Sequence, residues 1–159
     1  MKNKNENIMA KIKSAGLLMF WEDDEEELKI FLVHPGGPYW TKKDLWGIPK
    51  GLVEENESLF EAAKREFEEE TSIIPEEPYY DLGETSSKVK SIHTWAFLKS
   101  FDGEITSNIF EMEWPPKSGE IQEFPENDKG RWFTLTDAKK FIFTSQIKIL
   151  ENFEAKFNI

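Results

Sequence analysis

Apolar positions along the chain fall into blocks whose period changes from strand-like to helical and back. Ala15-Gly16-Leu17-Leu18-Met19-Phe20 is a nearly unbroken apolar run inside Ser14–Trp21, bounded by charge, and predicts a strand buried on both faces. The acidic run Glu22–Glu27 reads as an exposed turn, and Leu28–His34 returns as a second strand, so the two predict a hairpin. Pro35-Gly36-Gly37-Pro38 ends that strand. From Ser58 the period becomes helical: Phe60, Ala63 and Phe67 recur at i, i+3 and i+7, one stripe packed on a core. Ser58 is the expected N-cap, and Glu61 three residues on completes a capping box. The prolines of Ile74-Pro75-Glu76-Glu77-Pro78 block continuation. Tyr79–Glu84 and Val89–Phe101 read as strands. In the second, Ile92, Thr94, Ala96 and Leu98 alternate with His93, Trp95 and Phe97, which places it centrally. Ser107–Gly119 reads as a Pro-stiffened loop without regular structure. Arg131-Trp132-Phe133 is a short strand, and Thr136 caps a helix from about Asp137 through Phe143. Ile147, Leu150, Phe153 and Phe157 mark a last helix within Ser145–Phe157.

Composition narrows what such a chain does. Its 159 residues are enough for one domain with a real core, and 38% hydrophobic residues with 13 Phe and 6 Trp argue against disorder. The net charge of −11 argues against a nucleic-acid backbone as partner, since that affinity comes from Lys and Arg. Having no cysteine, the chain excludes disulfides, thiolate catalysis and Cys-based zinc sites. Two histidines, His34 and His93, are too few for a His-rich zinc site. The polar segment 1–13 lacks the apolar centre of a secretory signal, and no run approaches membrane-spanning length. The expectation is a flexible segment over residues 1–13, a single domain over 14–159, and a cytoplasmic protein with no membrane partner.

The helix after Ser58 carries the candidate chemistry. At ~100° per residue, Glu66, Glu69 and Glu70 share one edge of the core stripe, while Glu68 points away. Like charges at i,i+4 destabilise a helix by roughly 0.2–0.5 kcal/mol per pair. A glutamate run is ordinarily a solvated face. The alternative is a divalent cation: carboxylate oxygens suit Mg²⁺ or Mn²⁺, which complete their shells with water and substrate phosphate.

Gly51, Glu57 after five residues, Arg65-Glu66 after seven more, then Phe67-x-Glu69-Glu70 and Ile73 closely resemble the signature of the Nudix hydrolases. One position departs: Ser72 stands where the family has the glycine of the turn ending the helix, a structural rather than a ligand position. The resemblance spans about residues 14 to 157 and implies an α+β fold, a Nudix-type α/β/α sandwich around a central mixed β-sheet. It implies that Glu66, Glu69 and Glu70 hold the metal with the backbone carbonyl of Lys50, and that Arg65 pairs with Glu57 to tie loop to helix. Glu66 is nominated as the base. The implied reaction is metal-assisted hydrolysis of a phosphoanhydride in a nucleoside diphosphate-linked compound. Pro49-Lys50-Gly51 resembles the entry of the diadenosine polyphosphate hydrolases, which puts dinucleoside polyphosphates or nucleoside triphosphates ahead of ADP-ribose. A non-catalytic Nudix-like nucleotide-binding regulator is the alternative.

Substrate contacts are expected elsewhere. Tyr39 and Trp40 either shape a nucleobase pocket, by stacking, or pack their loop on the sheet. The Lys50 ammonium is placed to meet a phosphate. His93 either approaches substrate or packs hydrogen-bonded in the sheet. Glu111, Glu113, Glu120 and Glu123 are the candidates for an additional distal carboxylate, and the oligomeric state is not legible.

Overall fold

The computed structural model describes residues 11–159. The expected N-terminal segment lies outside the described residues as far as residue 10. Its last two positions, Ile12 and Lys13, instead open the first strand, β1 (Ile12–Glu22). β1 forms the expected antiparallel hairpin with β2 (Leu28–Pro35), pairing Met19 with Phe31 and Glu22 with Leu28. The turn is held by Asp23, whose Oδ1 accepts from the backbone N–H groups of Glu25 and Glu27.

A short strand that the sequence did not signal, β3 (Lys50–Leu52), pairs with the N-terminal half of β1, Gly16 against Lys50. β2 and β3 therefore share one edge of β1. Helix α1 (Leu59–Thr71) follows, then β4 (Tyr79–Ser86) and β5 (Lys90–Leu98). β5 is shorter than its apolar run and lies parallel to β1 along nine residue pairs, from Ile12–Lys90 to Phe20–Leu98. The segment after Ser107 is not the irregular loop expected. Ile109–Glu113 (β6) and Ile121–Pro125 (β7) pair as a separate two-stranded sheet, with Phe110 and Phe124 facing across it at 6.0 Å between ring centroids. β8 (Asn127–Thr134) runs well beyond the three residues predicted and pairs with β2, with a register break at His34/Pro35. The main sheet has the order β4-β5-β1-β2-β8 with β3 beside β1.

The next helix, α2 (Leu135–Phe141), starts earlier than read, because Thr134 rather than Thr136 caps it: the Thr134 hydroxyl accepts the Asp137 N–H at 3.1 Å, which leaves Thr136 inside the first turn. A 3₁₀ turn over Thr144–Gln146 then leads into α3 (Ile147–Phe157).

Strand alternation divides the core in two. Ala15, Leu17 and Met19 of β1 face α1 with Phe31, Val33 and Phe97, and meet Ala62, Ala63 and Phe67. Leu18 and Phe20 face the other way with Ile30, Leu32 and Ala96, and meet Ala138, Ile149, Leu150 and Phe153 of α2 and α3. β1 is buried on both faces because helices cover both. The result is the α/β/α sandwich around a mixed sheet. Among the described residues no helix is long and apolar enough to cross a membrane.

Candidate active site

Helix α1 is set at both ends by local chemistry. The Ser58 hydroxyl accepts the Glu61 N–H at 3.1 Å, and the Glu61 carboxylate accepts the Ser58 N–H at 3.2 Å, closing the capping box. At the other end Ser72 adopts the left-handed conformation, φ 63°, and donates its N–H to Glu68 O. Its hydroxyl donates to Thr106 O. The segment after it continues the closure: Thr106 N–H reaches Thr71 O, and Asn108 N–H reaches Glu69 O at 2.8 Å.

Arg65 is the hub of the loop-to-helix contact. Its Nε and Nη2 donate to the two carboxylate oxygens of Glu57 at 2.7 and 3.0 Å, and Nη2 also reaches Leu52 O at 3.1 Å. This is a fork that lysine has no geometry to reproduce. The Arg65 hydrogen bond, seconded by the Glu54 N–H, holds the Glu57 carboxyl below the usual carboxylate range. Glu57 Oε1 accepts that N–H at 3.0 Å, so the loop curls around its own glutamate.

Through Nη1 the same guanidinium bonds Glu66 at 2.9 Å and Glu69 at 3.2 Å. Glu66 lies directly over Gly51: a Cβ there would sit 2.1 Å from the Glu66 Cδ and 2.3 Å from both carboxylate oxygens. Glycine is required at 51 for this approach, not for a turn. Burial pushes the Glu66 carboxyl above the usual range, against the pull of Arg65, and the charges of Glu69 and Glu126 push the same way.

Glu70 turns to the other side of Gly51 and accepts the Lys50 N–H at 3.0 Å. Burial foremost, with repulsion from Glu66, raises its carboxyl to about 8, while the Lys50 N–H, the Asn127 side chain and the Lys50 ammonium pull it back. Asn127 is buried, and its Nδ2 completes no hydrogen bond of good geometry among the described residues. The site thus brings together two carboxyls that hold protons unusually well and a buried amide donor left unpaired.

Among the described residues no three carboxylates converge as a ready-made cage, since Arg65 draws Glu66 and Glu69 to one side and Lys50 draws Glu70 to the other. The donor set nevertheless fits a hard divalent cation. All its ligands are oxygens, and the cost of keeping Glu66 and Glu70 charged side by side is what a positive ion offsets.

Two residues here carried no signal in the sequence. Glu126, at the junction of β7 and β8, is near enough to Glu66 to raise its pKa, and Asn127 reaches Glu70. Backbone links place them: Glu126 N–H donates to Asn108 O and Gly36 N–H to Glu126 O, at 2.8 and 2.9 Å. Glu111, Glu113, Glu120 and Glu123 sit on or beside the β6–β7 hairpin, where Glu113 caps the Lys117 N–H. None of them is among the leading charges that shift Glu66 or Glu70.

A cleft opens beside Glu70. One part, of about 340 Å³, is lined by Glu70, Lys50, Asn127, Trp40, Phe143 and Gln146 among others. Trp40 stands edge-on to Phe143, ring centroids 5.4 Å apart. Tyr39 is outside the cleft and packs edge-on against Trp114. His93 is elsewhere too: it stacks on Trp95 at 4.3 Å and bonds Asp81 Oδ1 at 2.7 Å, on the α1 face of β5. It lines neither part of the cleft.

A NUDIX domain family model matches residues 11–153. The chain belongs to the Nudix family. Its relatives include the RNA pyrophosphohydrolase of Bartonella henselae, 29% identical over 127 residues that make up 70% of this chain and 72% of that protein. It is also 29% identical over 133 residues to Nudix hydrolase 7 of Arabidopsis thaliana, covering 77% of this chain but 45% of that longer protein. Among solved structures, the NUDIX domain of Shewanella oneidensis NrtR complexed with ADP ribose superposes with a TM-score of 0.66 at 17% identity, over 98% of this chain and 94% of that one. A C. elegans Ap4A hydrolase binary complex does so with a TM-score of 0.59 at 22% identity, over 92% and 98%. At these identities the structural likeness shows the shared Nudix fold alone.

Proposed function

We propose that this Nudix pyrophosphohydrolase uses Mg²⁺, or Mn²⁺, to hydrolyse a phosphoanhydride bond in nucleoside diphosphate-linked compounds, with dinucleoside polyphosphates or nucleoside triphosphates as its preferred substrates. The observation that carries the reading is the Glu66–Gly51–Glu70 arrangement. Two carboxyls that resist ionisation flank a backbone stripped of its Cβ, beside a cleft that Glu70 itself lines. Glu66, Glu69 and Glu70, with the Lys50 carbonyl, are the residues that would hold the ion, and Glu126 is added as a distal carboxylate. Held there, a divalent ion would supply neutralisation of pyrophosphate charge and activation of the attacking water.

The chain's own residues do the rest. Arg65 and Glu57 fix the helix against the Gly51 loop, so that the carboxylates keep their spacing. Glu66 is the residue proposed to take the proton of the attacking water. The Lys50 ammonium binds phosphate at the cleft mouth, and the Trp40–Phe143 wall offers an apolar surface to a base. Tyr39 and His93 are left out of substrate contact. The catalytic unit is one domain, extended at its start from residue 14 to Ile12, and the reading places it in the cytoplasm with its nucleotide substrates.

The sequence relatives support the chemistry, one being named an RNA pyrophosphohydrolase and the other a Nudix hydrolase. The test is hydrolysis of a panel of dinucleoside polyphosphates, nucleoside triphosphates and ADP-ribose, with Mg²⁺ and with EDTA. Turnover confined to the metal arm and fastest on the polyphosphates is expected. Binding of the panel without turnover would favour a nucleotide-sensing protein.

A further inference from the structure

The cleft continues past Lys50 into a second, larger cavity of about 510 Å³ whose chemistry differs from the first. Lys50, Lys90, Gln146 and Ser145 line both parts, so the two are halves of one channel. Beyond them the wall carries Lys148 and a series of serine and threonine hydroxyls from β1, β4 and β5. Among the described residues no aromatic side chain lines it, and Glu84 is the single carboxylate in its lining. Three lysines against one carboxylate among the lining residues is a local reversal in a chain whose net charge is −11.

The start of α3 contributes Gln146 and Lys148 to the channel wall. Gln146, in the N-cap position, is 4% exposed; its Oε1 accepts the Ile48 N–H at 2.9 Å. That bond fixes the orientation of the amide. Its Nε2 makes no hydrogen bond to any described residue, and Gln146 belongs to the wall shared by both cavities. Among the described residues no side chain caps α3 and its first turn holds no acidic residue, although the Ile147 N–H is already bonded to Thr144 O through the preceding 3₁₀ turn. Lys148 stands there instead, where the helix dipole makes a cation unfavourable. The contact of Lys148 with Glu151, 3.3 Å between exposed groups, does little to offset this. Among the described residues Lys50 and Lys90 form no ion pair. An anion in the channel would give the Gln146 amide an acceptor and set a counter-charge among Lys50, Lys90 and Lys148.

Resting on the function proposed above, we infer that this second cavity is a phosphate subsite, in which Lys90, Lys148, Lys50 and Gln146 bind the phosphates of the substrate that lie beyond the scissile anhydride. It makes the enzyme select for chain length. A tetraphosphate bridge has phosphates to extend from the Glu66–Glu70 centre into the channel, whereas the shorter diphosphate of ADP-ribose leaves Lys50 and Lys90 without an ion pair.

The subsite is testable without turnover, by calorimetric titration of the full chain with inorganic tripolyphosphate in EDTA, so that metal contributes nothing. The wild type is expected to bind saturably. Lys90→Gln/Lys148→Gln, exposed and fold-neutral, is expected to bind about tenfold more weakly, since each substitution removes a charge-assisted contact. Gln146→Glu keeps an acceptor for Ile48 N–H while turning the channel-facing donor into an anion, and weakens binding likewise. The double variant should also lower the kcat/KM ratio of dinucleoside tetraphosphate to ADP-ribose about tenfold. No saturable binding by the wild type, or an unchanged Kd in the double variant, overturns the inference. Tripolyphosphate binding through Lys90 and Lys148 with no hydrolysis of any nucleotide would leave this site standing and refute the function above; hydrolysis with an unchanged Kd would do the reverse.

Discussion

Adding one methyl group at Gly51 probes the site more sharply than removing a ligand does. The new Cβ of Gly51→Ala would overlap the whole Glu66 carboxylate, 2.1 Å from Cδ and 2.3 Å from each oxygen, so one of the two must move. β3 is held to β1 through Gly51 opposite Ala15, and a Cβ on Gly16 would itself meet Pro49 O at 2.7 Å, so the backbone has little room to retreat. Glu66 swings instead and loses its 2.9 Å bond to Arg65. Overpacking of this kind costs about 1–3 kcal/mol, and at roughly 2–4 °C per kcal/mol for a chain of this size it lowers the melting temperature by about 2–12 °C. The functional loss is expected to be larger, about 10–100-fold in Mg²⁺ affinity, as for disturbed metal surroundings generally. Differential scanning calorimetry and Mg²⁺ titration on one preparation separate the two. A variant that melts lower but binds Mg²⁺ like the wild type would refute the claim that the Glu66 position over Gly51 builds the metal site.

Other substitutions address the parts of the account separately. Arg65→Lys retains the charge but not the fork to Glu57 and the Nη1 bridge to Glu66 and Glu69; kcat is expected to fall at least tenfold with little change in the far-ultraviolet circular dichroism, and wild-type kcat would contradict the bracing role. Ser72→Ala keeps the left-handed backbone but drops the bond to Thr106 O, costing about 1 kcal/mol in urea unfolding. Ser72→Gly loses the same bond while relieving the backbone, so it should be nearly neutral, and a large loss in it would show the hydroxyl to matter more than the turn. In EDTA, Glu70 gives the stability a distinctive pH dependence. Its folded pKa, about 8, lies above its unfolded value, so the stability its neutral form supplies is whole below about pH 4.5 and is lost as pH rises to about 8. The ceiling is roughly 5 kcal/mol, lowered by the solvent contact the carboxyl keeps. Urea midpoints across that range should fall more steeply for the wild type than for Glu70→Gln; parallel curves would contradict it.

How far the sequence led depended on the distance over which each feature is determined. α1 was legible from start to finish because its cap, its stripe of Ala63 and Phe67 and its bracing pair all lie within a few turns, and local chemistry settles them. The hairpin of β1 and β2 followed from alternation for the same reason. The β6–β7 hairpin was missed although Phe110 and Met112 alternate with Glu111 and Glu113, because its prolines and glycine were read as marking irregularity. The choice between Thr134 and Thr136 turned on which hydroxyl meets the Asp137 N–H, a matter of one backbone turn. Glu126, Asn127 and Gln146 were invisible for a different reason. They reach the site through the β8 register, its break at Pro35 and a contact across 98 positions from Gln146 to Ile48, and no spacing in the chain records such contacts.

The central claim is that Glu66 and Glu70 act through a divalent cation on a phosphoanhydride. It is tested most directly by the rate of dinucleoside tetraphosphate hydrolysis as Mg²⁺ is titrated from an EDTA baseline, for the wild type, Glu66→Gln and Glu70→Gln side by side. A saturable rise from zero is expected in the wild type, with loss of most of the maximal rate or a large rightward shift of the curve in both variants. Hydrolysis that persists at the EDTA baseline, or curves that coincide for all three proteins, would contradict it.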